Sequence, residues 1–153
     1  MQVEPQPGWD PQSSASFWIN RASRILLRLH DARLRPLGFS MSQMPVLHAL
    51  GTGAALSQKQ LAAFACVEQP TMAELLARME RDGVVERAQN PDDARGTLTS
   101  LTRRSRVRLP KARAALTENE HQATAGFTPE EKTQLRTLLQ RVVANLETAA
   151  PAE

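Results

Sequence analysis

The sequence predicts a mainly α-helical fold in which a helix-turn-helix is followed by a short β-hairpin. Three observations carry that prediction. Apolar residues recur at helical spacing over most of the chain, from Trp18 to Leu146. Two short helical segments, opening at Ser57 and Gln69, are separated by only a tight turn. The one stretch with strand character, Val84 to Thr102, is a pair of short runs around a polar middle. Composition agrees: aromatic residues are 4%, with no Tyr and 7 Gly in 153 residues, too few for a β-sandwich or barrel.

Residues 1–12 hold three prolines among polar residues and read as a flexible N-terminal arm. A long helical pattern follows over 13–37, with Trp18, Ala22, Ile25, Leu29 and Ala32 on one face. Ile19, Leu26, Leu27 and Leu34 lie on other faces, so this helix needs more than one partner, and a subunit interface is the natural second. Pro36-Leu37-Gly38 ends it. Ser40 or Ser42 caps the next helix, which ends near Gly51 with Met44, Leu47 and Leu50 inward. Ser57-Gln58-Lys59-Gln60 is a capping box opening a short helix with Leu61 and Phe64. Gln69-Pro70-Thr71 opens the second helix of the pair, with proline in the first turn where its missing N–H costs nothing. Its core stripe is Met72, Leu75, Leu76 and Met79, and Gly83 ends it.

Val84 to Arg87 and Thr97 to Thr102 read as the two hairpin strands, with Ala88 to Gly96 as a long polar loop. Thr102 caps a helix from Arg103 to about Ala125, and Pro110 inside it predicts a kink or break. Thr128-Pro129-Glu130-Glu131 is another capping box. Leu135, Leu138, Leu139, Val142, Val143 and Leu146 then draw one apolar stripe, and 148–153 read as a frayed end.

Nineteen Lys and Arg against 16 Asp and Glu give a net charge of +3, permissive for a nucleic-acid partner. One cysteine, Cys66, excludes an intrachain disulfide and a cysteine-cluster metal site. His30 and His121 have no acidic or thiol partners at ligand spacing, so neither metal nor cofactor is expected. No apolar run reaches the ~18 residues of a membrane span, and the first residues lack a signal-peptide pattern, so the expected compartment is the cytoplasm. No nucleophile–base pair, phosphate loop or paired-carboxylate arrangement stands out, so the chain does not read as an enzyme.

The order of these elements resembles the MarR family of bacterial transcription regulators over roughly residues 16–146. The most specific part is Ser57 to Thr102. Within it stand the helix-turn-helix, Met79-Glu80-x-x-Gly83-Val84-Val85-Glu86-Arg87, the hairpin tip Pro91-x-Asp93-x-Arg95 and the closing Ser100-Leu101-Thr102. The resemblance implies a winged helix-turn-helix lobe at 38–102 with a short β-hairpin wing. It also implies a helical dimerisation region at 13–37 and 103–147. The protein would then be a homodimer on a pseudo-palindromic operator in double-stranded DNA, acting by repression, the family's commoner mode. Three departures stand out: Ala94 where many members carry an arginine, Ser105 where glycine is usual, and Glu74 on the DNA-facing side of the recognition helix.

With the Met72 stripe turned inward, the first turn of that helix would meet the major groove, so Gln69, Thr71 and Glu74 are the candidate base readers, followed by Arg78. Gln pairs bidentately with adenine, and Glu accepts from cytosine N4. The alternative is a solvated Glu74–Arg78 pair one turn apart. The resemblance places Arg95 in the minor groove with Asp93 orienting it. Ser57, Gln58 and Arg87 carry donors suited to phosphates. Six cations between Arg103 and Arg113 fall on no single face, so they read either as DNA contacts beside the wing or as a solvated helix start.

The resemblance further implies a pocket for a small aromatic or phenolic carboxylate, with Trp18, Arg21, Arg24, Arg28 and His48 as candidate contacts. Solvated or interface arginines and a packed histidine are the alternative. Two other functions stay open. One is a redox-sensing regulator acting through Cys66, against which stands a buried, inert thiol. The other is a winged helix used only for protein contacts.

Overall fold

The computed structural model describes residues 10–149, the side chain of Ala94 aside. Residues 1–9 of the expected arm and 150–153 of the expected frayed end lie outside the described residues. Asp10 caps a single 3₁₀ turn over Pro11–Ser13, accepting from the N–H of Gln12 at 2.9 Å. Helix α1 then spans Ala15–Leu34, shorter at each end than the sequence rhythm predicts. Its last apolar residues belong to a 3₁₀ turn, Arg35–Leu37, because Pro36 cannot extend the α-ladder. Gly38, at φ +80°, closes that turn.

A 3₁₀ turn at Met41–Gln43 leads into α2 (Met44–Leu50), where Gln43 Oε1 accepts from the Ser40 N–H at 3.1 Å. A two-residue strand, β1 (Leu56–Ser57), precedes α3 (Gln58–Ala65) and α4 (Gln69–Arg81). The expected capping box holds α3: Gln60 Oε1 accepts from the Ser57 N–H at 2.9 Å, and the Gln60 N–H donates to Ser57 Oγ at 3.3 Å. Met72, Leu76 and Met79 of α4 are fully buried, while Leu75 is half-buried.

β2 (Val85–Asn90) and β3 (Asp93–Leu101) form the hairpin, and β3 lies between β1 and β2 in an antiparallel sheet. The polar stretch Ala88 to Gly96 is therefore mostly strand rather than loop, with only Pro91 and Asp92 turning. Main-chain pairing needs no apolar side chains, and this outer part of the hairpin is mostly exposed, so polar residues suit it. Pairing runs in register from Val85↔Leu101 to Gln89↔Thr97, then jumps to Asn90↔Asp93. The residues 94–96 thus bulge on one strand. β1 was not legible because two residues carry no periodic signal.

α5 (Arg103–Ala123) opens under Thr102, whose Oγ1 accepts from the Ser105 N–H at 3.3 Å and donates to the Gly83 carbonyl at 2.9 Å. Contrary to expectation, the helix is unbroken at Pro110. Pro110 and Arg106 are exposed, so water can satisfy the carbonyl that the proline leaves free. Two of the basic residues of α5 have intramolecular positions. The Arg108 guanidinium lies over Gly38, and that of Arg113 packs against Gly51, at the C-terminal end of α2 where a cation is favoured. Asn119, wholly buried, is 2.9 Å from Nδ1 of His30 on α1.

The chain divides into two compact units, up to Asn119 and from Glu120 onward. The first unit's core joins Leu34, Phe39, Leu47, Leu50, Leu61, Met72, Leu76, Val85, Leu101 and Leu109. In the second, Thr128 and Glu131 form the expected capping box and α6 (Pro129–Ala149) buries none of its residues. Thr148 and Ala149 are helical rather than frayed.

Candidate nucleic-acid interface

The first turn of α4 is exposed because the stripe that anchors the helix begins only at Met72. Gln69, Thr71, Glu74 and Arg78 all face solvent. Among the described residues Glu74 and Arg78 form no ion pair, so both side chains are available outside the protein. Gln69 is engaged at one end, where its Oε1 lies 3.3 Å from Nε2 of Gln58.

Beside α4, the start of α3 and the exposed face of the hairpin enclose a cleft of about 340 Å³. Ser57, Gln58, Lys59, Arg87, Thr97 and Thr99 line it, with Leu76 at its floor. Cations, hydroxyls and a helix N-terminus together suit a phosphate group. Arg87 is held there by Glu80, whose carboxylate is 3.3 Å from its Nε. The Ser57 hydroxyl is committed inside the capping box, donating to Gln60 Oε1 at 3.0 Å. Lys59 and Thr97 escaped the sequence reading. Their signal was available: Lys59 follows Gln58 in the capping box, and Thr97 lies two residues before Thr99, the partner of Arg87, on the same sheet face.

At the hairpin tip, Asp93 Oδ1 accepts from the Arg95 main-chain N–H at 3.0 Å. Asp93 therefore orders the backbone of the bulge, and the exposed Arg95 guanidinium forms no ion pair among the described residues.

The five candidate effector contacts are all exposed and do not share one set of contacts. Trp18, 51% exposed, meets Phe17 edge-on at 5.2 Å and donates from Nε1 to the Gln12 carbonyl at 2.7 Å. Arg28 borders a shallow groove on α1 with Leu27, Asp31, Ala32 and Arg35. His48 is not packed in the core: its ring stacks on Phe64 at 5.7 Å, and both are exposed. Cys66 likewise departs from the buried thiol expected. It closes α3 in the left-handed region at φ 52°, exposed, with its Sγ donating to the Ala63 carbonyl oxygen at 3.8 Å. No group of three or more His, Cys, Asp or Glu that could hold a metal occurs among the described residues. No described helix is long and apolar enough to cross a membrane.

A family model, that of the MarR family, matches residues 39–97. The chain is 30% identical over 114 residues to the HTH-type transcriptional regulator YwoH of Bacillus subtilis, covering 74% of this chain and 82% of that protein. It is 32% identical over 102 residues to the homoprotocatechuate degradative operon repressor of Escherichia coli, covering 67% and 69%. Among solved structures, a cysteine-to-serine mutant of MarR from E. coli complexed with operator DNA superposes with a TM-score of 0.73 at 26% identity. That superposition covers 83% of this chain and 91% of the other.

Proposed function

The chain belongs to the MarR family of transcription regulators, and on that premise we propose that it is a homodimeric repressor, released from its operator by a small aromatic or phenolic carboxylate. The observation that carries the DNA-binding part is the alignment on one lobe of an exposed α4 first turn, a donor-lined cleft and an Arg95 on the bulged wing that forms no ion pair among the described residues. In this reading Gln69, Thr71 and Glu74 meet base edges. Lys59, Arg78, Arg87 and Thr97 hold phosphates, and Arg95 enters the minor groove, whose negative potential suits a guanidinium. The protein acts in the cytoplasm on double-stranded DNA, without a cofactor.

The dimer reading rests on two exposed apolar faces, each considered by itself. On α1, Trp18, Ile25, Leu27 and Leu29 are all exposed and only Leu34 is buried. On α6, Leu135, Leu138, Leu139, Val143 and Leu146 are all exposed. A second copy covering them would remove that surface from water and place two recognition helices about one DNA turn apart. The effector reading is supported by the E. coli relative, named for the degradation of homoprotocatechuate, a phenolic carboxylate. The exposed His48–Phe64 stack offers an aromatic platform for such a ligand. An effector weakens operator binding only by preferring the lobe spacing that does not fit DNA.

The test is fluorescence anisotropy of the full chain on the DNA upstream of its own gene, first across a salt titration and then with a panel of aromatic carboxylates. The expected result is sequence-selective binding whose log K falls by ~0.9 per phosphate neutralised with log salt, and release by one of the acids. Selective binding that no acid disturbs discards the effector, and no DNA preference discards the repressor. A second reading rests on the exposed thiol of Cys66, between α3 and α4: oxidation there would disturb the reading helix. A Cys66→Ser protein that still responds to peroxide removes it.

A further inference from the structure

Gln58 is the first residue of α3 and Gln69 the first of α4. The amide nitrogen of Gln58 lies 3.3 Å from Oε1 of Gln69 and 3.4 Å from the Gln69 main-chain carbonyl oxygen. The second contact fixes the orientation of the first. A carbonyl oxygen only accepts, so the Gln58 atom facing it must be the NH₂ group. The Gln69 atom facing that NH₂ must then be its oxygen, since two NH₂ groups opposite one another offer no acceptor. The Gln58 NH₂ group thus meets two acceptors, both on Gln69.

We propose that Gln58 is a positioning residue that sets the polarity of Gln69: it holds the Gln69 oxygen turned toward the start of α3 and leaves the NH₂ group to face DNA. This rests on the reading that the first turn of α4 meets base edges. Bidentate pairing with adenine needs both ends of the amide, the oxygen accepting from N6 and the nitrogen donating to N7. With its oxygen turned toward Gln58, Gln69 presents donors alone. Donors select bases rich in major-groove acceptors, which are guanine, through O6 and N7, and thymine, through O4. Gln58 in turn is not a phosphate contact, because its NH₂ group is engaged by Gln69 and its remaining oxygen repels a phosphate.

The test is selection of duplexes from a pool randomised across the operator, by the full-length wild type and by Gln58→Ala, Gln58→Glu and Gln69→Ala. Ser57 and Gln60 keep their capping box in every variant, so α3 retains its start. Gln69→Ala is expected to flatten a guanine or thymine preference at one base pair per half-site, by about tenfold. Gln58→Ala frees the amide oxygen, and the preference at that same base pair moves toward adenine with the salt slope unchanged. Gln58→Glu offers only oxygens, draws in the Gln69 NH₂ and turns the Gln69 oxygen outward, so bases with a donor, cytosine among them, gain. If Gln69→Ala flattens the preference while Gln58→Ala and Gln58→Glu leave it as in the wild type, the proposal is overturned and base reading by Gln69 stands. If Gln58→Ala only lowers the salt slope by about one, Gln58 is a phosphate contact and the proposal is likewise overturned. If Gln69→Ala changes no position, base reading by Gln69 falls and the proposal falls with it.

Discussion

α4 and α6 carry the same kind of pattern and meet opposite fates. In α4 the residues at i, i+4 and i+7 of the stripe, Met72, Leu76 and Met79, are 0% exposed. In α6 the equally regular Leu135, Leu138, Leu139 and Leu146 run from 39% to 64% exposed. Periodicity says that a helix has an apolar side, but not where its partner is. For α4 the partners are supplied by the same chain: α3, β2 and the core residues of α1, α2 and α5. α6 buries none of its residues, and its own unit supplies no cover for the stripe among the described residues. The difference separates a helix that stabilises its own lobe from one that, in the proposed dimer, stabilises an assembly. Protein concentration is the variable that tells them apart.

The largest expected effect breaks the α6 side of the comparison. Leu138→Glu with Leu139→Glu would bury charges in the proposed dimer interface at several kcal/mol each. Sedimentation equilibrium should then show a monomer, with operator affinity lost and far-ultraviolet circular dichroism retained. A dimer that survives these changes moves the interface elsewhere. Next comes the α4 side, where Leu76→Ala is expected to cost about 3 kcal/mol by opening a core cavity. That loss, read by urea unfolding, should be the same for a variant already made monomeric. A smaller effect is expected at Gly51, where an added β-carbon would collide with the Arg113 guanidinium and the Leu47 carbonyl. Gly51→Ala should cost about 1–3 kcal/mol, again independent of concentration. The smallest belongs to Cys66, the one described non-glycine residue at positive φ. Cys66→Gly relieves the left-handed strain but loosens the unfolded chain, for a net gain below about 1 kcal/mol in thermal unfolding.

Much of the architecture was legible. Both helices of the helix-turn-helix, the Ser57 and Thr128 capping boxes and the buried α4 stripe are written in residue type and spacing, because caps and amphipathic faces are local. The reading failed where long-range contacts or solvent decide. Pro110 suggested a break, yet solvent on that side of α5 lets the helix continue. The polar wing suggested a loop, yet pairing between β2 and β3 depends on the main chain. Cys66 suggested a buried thiol, yet at the left-handed cap of α3 it is exposed.

The candidate site divides along the same line. The positions of its candidate residues were readable one by one: Gln69, Thr71 and Glu74 on the exposed side of the helix, Arg95 at the tip, and Ser57, Gln58 and Arg87 around the cleft. Which of them were already committed to one another was not. The Gln58–Gln69 contact, the Glu80–Arg87 pair and the return of Asp93 to the Arg95 main chain each join residues to specific atoms that only the folded chain brings within reach.

By itself, then, the sequence determined the helices, their caps, their apolar faces and the family, because those depend on spacing along the chain. Only the tertiary structure decided which apolar faces are buried within their own unit and which donors are already engaged inside the fold. Those outcomes depend on distances between residues far apart in sequence, and hydrogen-bonding groups already used inside the fold cannot be used again outside it.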